Sequence, residues 1–281
     1  MKHVLIHATP RSGSKTLQSA IQEYLIQKYH DVVMLENRSI DYGLDEFFVS
    51  RQGGSAYKIY DLTTHSWLLK HAYYPDTIPE GGLWEKLIIT DKGNLKWTFI
   101  PANPKFAKGP VQFLVQQNEI LSKLYHKAYV AKMFTGFGLY NDQALRTMEQ
   151  SYRHFDTHIV LRRRNNLDNF LSRLTCRRTG NWSAIGQTAD CIDVDKQQIE
   201  FSEFNQWHIA MQDFEMRIAN VPMPRELWME DFTSSISIPG TDITIPIPNR
   251  ETIEYGDKKY QWVKNLAEVK QWFKDYGYEV E

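Results

Sequence analysis

Thr9-Pro10-Arg11-Ser12-Gly13-Ser14-Lys15-Thr16-Leu17 separates a short apolar run, Val4-Leu5-Ile6, from a segment in which Leu17, Ala20, Ile21 and Leu25 recur at helical spacing. That order predicts a buried parallel strand, a turn of small residues and a helix N-terminus. The first amides of a helix lack intrahelical acceptors and lie at the positive end of its dipole, so such a turn favours a phosphate-sized anion. Gly13 permits close backbone approach, and Arg11, Lys15 and the hydroxyls of Ser12, Ser14 and Thr16 add donors. The plain alternative is a serine-rich helix start with Ser12 or Ser14 as N-cap. The spacing is not that of a Walker A loop, because Ser14 precedes Lys15 and no matching upstream glycine exists. An ordinary NTPase is therefore disfavoured.

A second apolar run, His158-Ile159-Val160-Leu161, leads into Arg162-Arg163-Arg164-Asn165-Asn166 and then a helical pattern with Leu167, Phe170, Leu171 and Leu174 on one side. In a doubly wound sheet, ligands bind beyond the carboxyl ends of strands, which would bring this cluster to the edge that carries the first loop. Three arginines at the positive end of a helix call for counter-charge. A bound anion would supply it, through the bidentate donors of arginine.

Together these two motifs resemble the sulfotransferase superfamily, whose 5′-phosphosulfate loop reads Pro-Arg-Ser-Gly-Ser/Thr-Thr and whose 3′-phosphate motif has Arg, seven residues, then Ser. Arg164 and Ser172 have that spacing. The resemblance implies that 3′-phosphoadenosine 5′-phosphosulfate is the cosubstrate. Arg11, Ser12, Gly13, Ser14, Lys15 and Thr16 would cradle its 5′-phosphosulfate, and Arg164 with Ser172 its 3′-phosphate; Arg163 replaces Arg164 if the alignment slips by one. Lys15 stands where the family has a hydroxyl residue. Leu44-Asp45-Glu46-Phe47-Phe48 is similar to the segment that carries the proposed base in bacterial-type members, which makes Glu46 the catalytic candidate beside Arg11. Leu227-Trp228-Met229-Glu230-Asp231-Phe232 resembles a late structural strand of the superfamily. Lys258 to Asn265 is similar to its nucleotide-closing loop, with Lys259 as a further candidate.

The remaining pattern predicts an α/β fold: a P-loop-like, doubly wound parallel sheet flanked by helices, forming one domain over 1–281 with an insertion at about 52–108. Val32 to Leu35 reads as a second strand and Leu44 to Ser50 as the start of a short helix. Leu87 to Thr90 and Leu95 to Ile100 flank Asp91-Lys92-Gly93-Asn94, a hairpin signal inside the insertion. Val111 to Lys127 and Gln143 to Phe155 read as helices around a strand at Tyr129 to Phe134. Asn165 to Arg178, Ile199 to Ala219 and Leu266 to Tyr278 follow as helices. Lys132 either faces the transferred group or snorkels from the core. His208 is a rival base that also fits as a packing residue beside Phe204 and Trp207.

With 42% hydrophobic and 24% charged residues the 281-residue chain has ordinary globular composition. A net charge of −1 argues against general binding to nucleic acid or an anionic membrane. The two cysteines, Cys176 and Cys191, lack metal-site spacing, and no His-Glu-x-x-His or Cys-x-x-Cys spacing implies a metal. No apolar run approaches membrane-spanning length and no signal peptide precedes the first strand, so a cytoplasmic protein of the soluble bacterial or viral type is expected. The expected partners are the nucleotide donor and an unidentified hydroxyl or amine acceptor. The alternatives are a P-loop-type nucleotide or small-molecule kinase using ATP and Mg²⁺, and a nucleotide-binding protein that kept the fold without turnover.

Overall fold

A computed structural model describes residues 1–39, 55–61, 66–73, 83–89, 95–101, 118, 121–134, 146, 149–179, 197–247 and 258–280. It shows a mixed α/β fold with a four-stranded parallel sheet flanked by helices. The strands are β1 (His3–Ala8), β7 (Tyr129–Phe134), β8 (Thr157–Arg162) and β9 (Arg225–Trp228), in the order β7-β1-β8-β9. β8 and β9 run parallel, with Ile159 opposite Arg225 and Arg162 opposite Trp228. Val4, Leu5, Ile6, Ile159, Val160 and Leu161 are all buried, as continuous apolar runs in a strand covered on both faces must be.

By internal packing the chain divides into two compact units, one holding Met1–Leu5, Leu25–Met133 and Leu139–Thr157, the other Ile6–Tyr24, Phe134–Gly138 and His158–Glu281. In the first, Asp156 ties down the N-terminal backbone. Its carboxylate accepts from the Lys2 amide at 2.9 Å and the His3 amide at 3.0 Å, while Thr157 Oγ1 donates to it at 2.8 Å. Burial alone would raise its pKa, but these bonds and the His3 ring outweigh burial and hold the carboxyl well below the usual range.

The same unit contains two antiparallel sheets. β2 (Val33–Ser39) starts beside Ala128, whose carbonyl accepts from the Val33 amide at 2.9 Å. It then pairs antiparallel with β3 (Ser55–Asp61), which pairs with β4 (Ser66–Tyr73). The second strand expected at Val32 to Leu35 is present, but its named partner is an antiparallel neighbour rather than a strand of the parallel sheet. Its sequence turns polar at Glu36-Asn37-Arg38, unsuited to burial on both faces. The expected hairpin forms from β5 (Leu83–Ile89) and β6 (Leu95–Pro101), with Ile89 opposite Leu95. The helix expected over Gln143 to Phe155 finishes as a 3₁₀ turn, Gln150–His154. The helix expected at Leu44 to Ser50 lies outside the described residues.

The second unit packs three longer helices on one aromatic core. They are α2 (Asn166–Thr179), α3 (Phe201–Ile218) and α5 (Leu266–Asp275), with the single turn α4 (Lys258–Gln261) between the last two. α3 begins at a reciprocal capping box between Glu200 and Glu203. Leu167, Phe170, Leu171 and Leu174, the apolar side read from the sequence, are buried against Phe204, Trp207, Val269 and Phe273. Each fully buried side chain of this kind contributes about 1.5–3 kcal/mol. α1 (Ser14–Lys28) buries Leu17, Ala20, Ile21 and Leu25. Among the described residues no helix is long and apolar enough to cross a membrane.

Candidate functional site

β1 ends at Ala8, and the chain turns into α1 through two residues of positive φ, Arg11 at 67° and Gly13 at 79°. Glycine adopts that region freely, whereas an arginine there is uncommon and strained. A Cβ on Gly13 would also stand 3.2 Å from Met229 Cγ and 3.3 Å from its Sδ. The Gly13 carbonyl accepts from the Thr16 and Leu17 amides at 3.0 and 3.2 Å, starting the helix. Ser12 is buried and turned inward, its hydroxyl donating to the Thr9 carbonyl at 2.7 Å, so it fixes the turn rather than capping α1.

Neighbouring elements hold the strained Arg11 at both ends. Its Nε donates to Ser172 Oγ on α2 at 3.0 Å, and its carbonyl accepts from Arg163 Nη1 at 3.2 Å. The carbonyl of Pro10 accepts from Asn169 Nδ2 at 2.9 Å, and Asn169 Oδ1 in turn accepts from Trp207 Nε1 at 3.1 Å. Asn169 and Trp207 are both buried. Arg163 also donates to Asp168 Oδ2 at 3.1 Å, and Asp168 accepts at its other oxygen from the Tyr260 hydroxyl. Burial first, and then the bond to Asp168, raises the Tyr260 pKa well above that of an ordinary tyrosine.

The counter-charge expected from a bound anion at the arginine cluster is supplied largely from within the chain. Arg162 bridges Glu215 and Glu226 and lies 5.9 Å from the ring centres of both Phe214 and Trp228. Arg164 pairs with Asp231 through both terminal nitrogens, at 2.6 and 3.0 Å, and sits 5.1 Å over Trp228. The Glu230 carboxylate accepts from the backbone amides of Arg164 and Asn165 at 3.0 and 3.2 Å, placing a negative charge at the N-terminus of α2. Asn165 Oδ1 completes the cap by accepting from the Asp168 amide at 2.9 Å. Glu230 and Asp231 form the 3₁₀ turn Met229–Asp231 that follows β9. The basic cluster is thus paired with acidic residues of α2, α3, β9 and this turn.

No protein-family model matches the chain, and searches of curated proteins and of solved structures return no significant match.

Of the residues matched from sequence, the structure joins Arg11 to Ser172 and brings Arg163 to the same loop, while Arg164 engages Asp231. Glu46 lies outside the described residues. Lys132 is buried in β7, and Lys259 falls in the short α4. His208 sits among aromatic rings, sharing a 2.8 Å hydrogen bond between Nδ1 and the Tyr278 hydroxyl; burial lowers its pKa. Asp168, Asn169 and Trp207 were missed as supports of the loop. Their only signal was the adjacency of Asp168 and Asn169 to the arginine motif. A cavity of about 540 Å³ opens beside Arg163, walled by Arg162, Phe214, Glu215, Trp228 and Tyr278. Its Tyr278 hydroxyl is pushed up to about 12 by burial and by Glu215. Among the described residues no group of three or more His, Cys, Asp or Glu gathers as a metal site.

Proposed function

We propose that the protein is a cytoplasmic sulfotransferase of P-loop-like, doubly wound type. It would move a sulfuryl group from 3′-phosphoadenosine 5′-phosphosulfate to a hydroxyl or amine acceptor. The observation that carries this reading is the 3.0 Å bond from Arg11 Nε to Ser172 Oγ. Two motifs read from the sequence as phosphate-binding, 161 residues apart, meet at that bond. The positive φ of Arg11 and Gly13 and the close approach of Met229 add the features of a backbone-lined anion turn.

In this mechanism the acceptor oxygen or nitrogen attacks sulfur as the bond from sulfur to the 5′-phosphate oxygen breaks. Glu46 takes the acceptor proton, and the nucleotide leaves as the 3′,5′-bisphosphate. Negative charge grows on the leaving phosphate, where Arg11, Lys15 and the first amides of α1 lower its energy without a metal ion. Ser12 and the bonds to Pro10 and Arg11 preset the turn, so little reorganisation is needed as the charge develops. Arg164, with Ser172, binds the 3′-phosphate after exchanging Asp231 for the ligand.

Lys15, standing where the superfamily has a hydroxyl residue, favours a second reading, a nucleotide-binding protein of the same fold without turnover. Calorimetric titration with 3′-phosphoadenosine 5′-phosphate, adenosine 5′-phosphate and Mg-ATP tests the binding step. Metal-independent binding that requires the 3′-phosphate supports the nucleotide assignment, and donor turnover with an acceptor panel then separates the two readings. Preference for Mg-ATP would turn the assignment to a kinase.

A further inference from the structure

A chain of polar contacts in the second unit ends at the turn that carries Arg11. It starts in the C-terminal segment, where the Tyr260 hydroxyl on α4 donates to Asp168. Asp168, only 7% exposed, accepts from Arg163 Nη2 at 3.1 Å, and Arg163 Nη1 donates at 3.2 Å to the carbonyl of Arg11. Arg11 is one of two described non-glycine residues at positive φ. Its φ of 67° therefore coincides with the end of a relay that spans α4, α2 and the loop. A strained residue persists only where its surroundings over-determine it.

We propose that Tyr260 is a positioning residue for the anion-binding turn. Acting through Asp168 and Arg163, it fixes the Arg11 carbonyl and so sets the direction of the Arg11 side chain. The role is to preset the turn and not to touch the ligand, and its link to sulfuryl transfer rests on the function proposed above. The logic is electrostatic as well as geometric. Asp168 is shared between a cation and a phenol, so the Tyr260 hydroxyl orients the carboxylate that in turn orients the guanidinium. The residue that follows α4 is anchored: the Gln197 amide donates to the Trp262 carbonyl at 2.7 Å, and Arg178 lies 5.2 Å over the Trp262 ring. The phenol thus approaches Asp168 from a fixed support.

The test begins without any nucleotide. Amide hydrogen exchange of residues 11–13 in Tyr260→Phe should quicken by about tenfold, the scale of one lost charge-assisted bond. Exchange in β8 and α3 should stay unchanged. In an Arg163→Gln background the same Tyr260→Phe substitution should add little, because the relay is already cut. Unchanged exchange at residues 11–13, equal quickening throughout the unit, or full additivity with Arg163→Gln would overturn the proposal. If Arg163→Gln does not fold, Asp168→Asn serves as the second cut under the same criterion. Titration with 3′-phosphoadenosine 5′-phosphate then examines the functional link separately. A loosened turn with unchanged nucleotide affinity would sustain the relay while refuting the nucleotide reading of the loop.

Discussion

Replacing Glu230 by alanine removes the carboxylate that closes the N-terminus of α2 while leaving the Asn165 cap intact. Two charge-assisted bonds vanish, from the Arg164 amide at 3.0 Å and the Asn165 amide at 3.2 Å. Hydrogen bonds to a charged group contribute about 1.5–3 kcal/mol, less where the carboxylate is, like that of Glu230, about a third exposed. Loss of a negative charge from the positive end of the dipole adds about 0.3–1 kcal/mol. Arg163 retains Asp168, so no guanidinium is stranded. The expected destabilisation is about 2 kcal/mol in urea unfolding, equivalent to a Tm loss of about 4–8 °C. Sulfate supplies the second half of the test, because the vacated amides would donate to an inorganic anion. Sulfate stabilises most proteins by exclusion from their surface, so the comparison is with the parent chain at matched ionic strength. At ten times its dissociation constant it should return about 1.4 kcal/mol to Glu230→Ala beyond what it gives the parent. A loss below about 0.5 kcal/mol, or equal sulfate responses, would refute Glu230 as the internal anion of this helix.

Gly13→Ala should destabilise by about 1 kcal/mol in urea unfolding. Positive φ costs an alanine about 1–2 kcal/mol, reduced unfolded-state entropy returns about 0.4–1 kcal/mol, and contact with Met229 adds to the loss. A neutral result would show that the turn does not need glycine. His7 is fully buried, its Nε2 3.2 Å from His158 Nδ1; burial first, and then His158, holds its pKa well below the ordinary value. The unfolded chain therefore binds more protons than the native one, so stability should be fully present above about pH 6.5 and fall as the pH drops below it. His7→Gln should flatten that part of a Tm–pH profile, and an unchanged slope would remove His7 as its source. Asp231→Asn should tighten binding of 3′-phosphoadenosine 5′-phosphate measured by calorimetry if Arg164 receives the 3′-phosphate, and leave it unaltered if Arg164 belongs only to the surface.

The parts of this fold that were legible in the sequence are those with a one-dimensional signature. Val4-Leu5-Ile6 and Ile159-Val160-Leu161 are uninterrupted apolar runs, and both are buried strands. The spacing of Leu17, Ala20, Ile21 and Leu25 marked the buried side of α1, and Leu167, Phe170, Leu171 and Leu174 did the same for α2. The turn chemistry of Asp91 to Asn94 located the hairpin of β5 and β6. The antiparallel pairing of β2 carried no such signature, because half of that strand is polar and its partner follows a long gap. Nor could the arginine cluster's neutralisation be read. Arg162 and Glu215 are 53 residues apart, Arg164 and Asp231 67, and Tyr260 and Asp168 92. Contacts at such separations have no period. Glu230 and Asp231 were visible only as part of a strand-end pattern, and their charge was never set against that of the arginines.

The geometry also ranks the three arginines by how readily each can meet a ligand. Arg162 is only 18% exposed and is held by two carboxylates and two aromatic rings, so turning it to a ligand would give up all four contacts. Arg163 is 16% exposed and its terminal nitrogens engage Asp168 and the Arg11 carbonyl, so a ligand taking those donors would slacken the turn it came to occupy. Arg164 is different: it and Asp231 are each about half exposed, where solvent screening makes an ion pair weak. A phosphate arriving there exchanges one exposed anion for another and disturbs neither the loop nor the core. Charge density therefore overstates the cluster's capacity for anions. Of the three, Arg164 is the arginine whose carboxylate partner a ligand could replace at least cost.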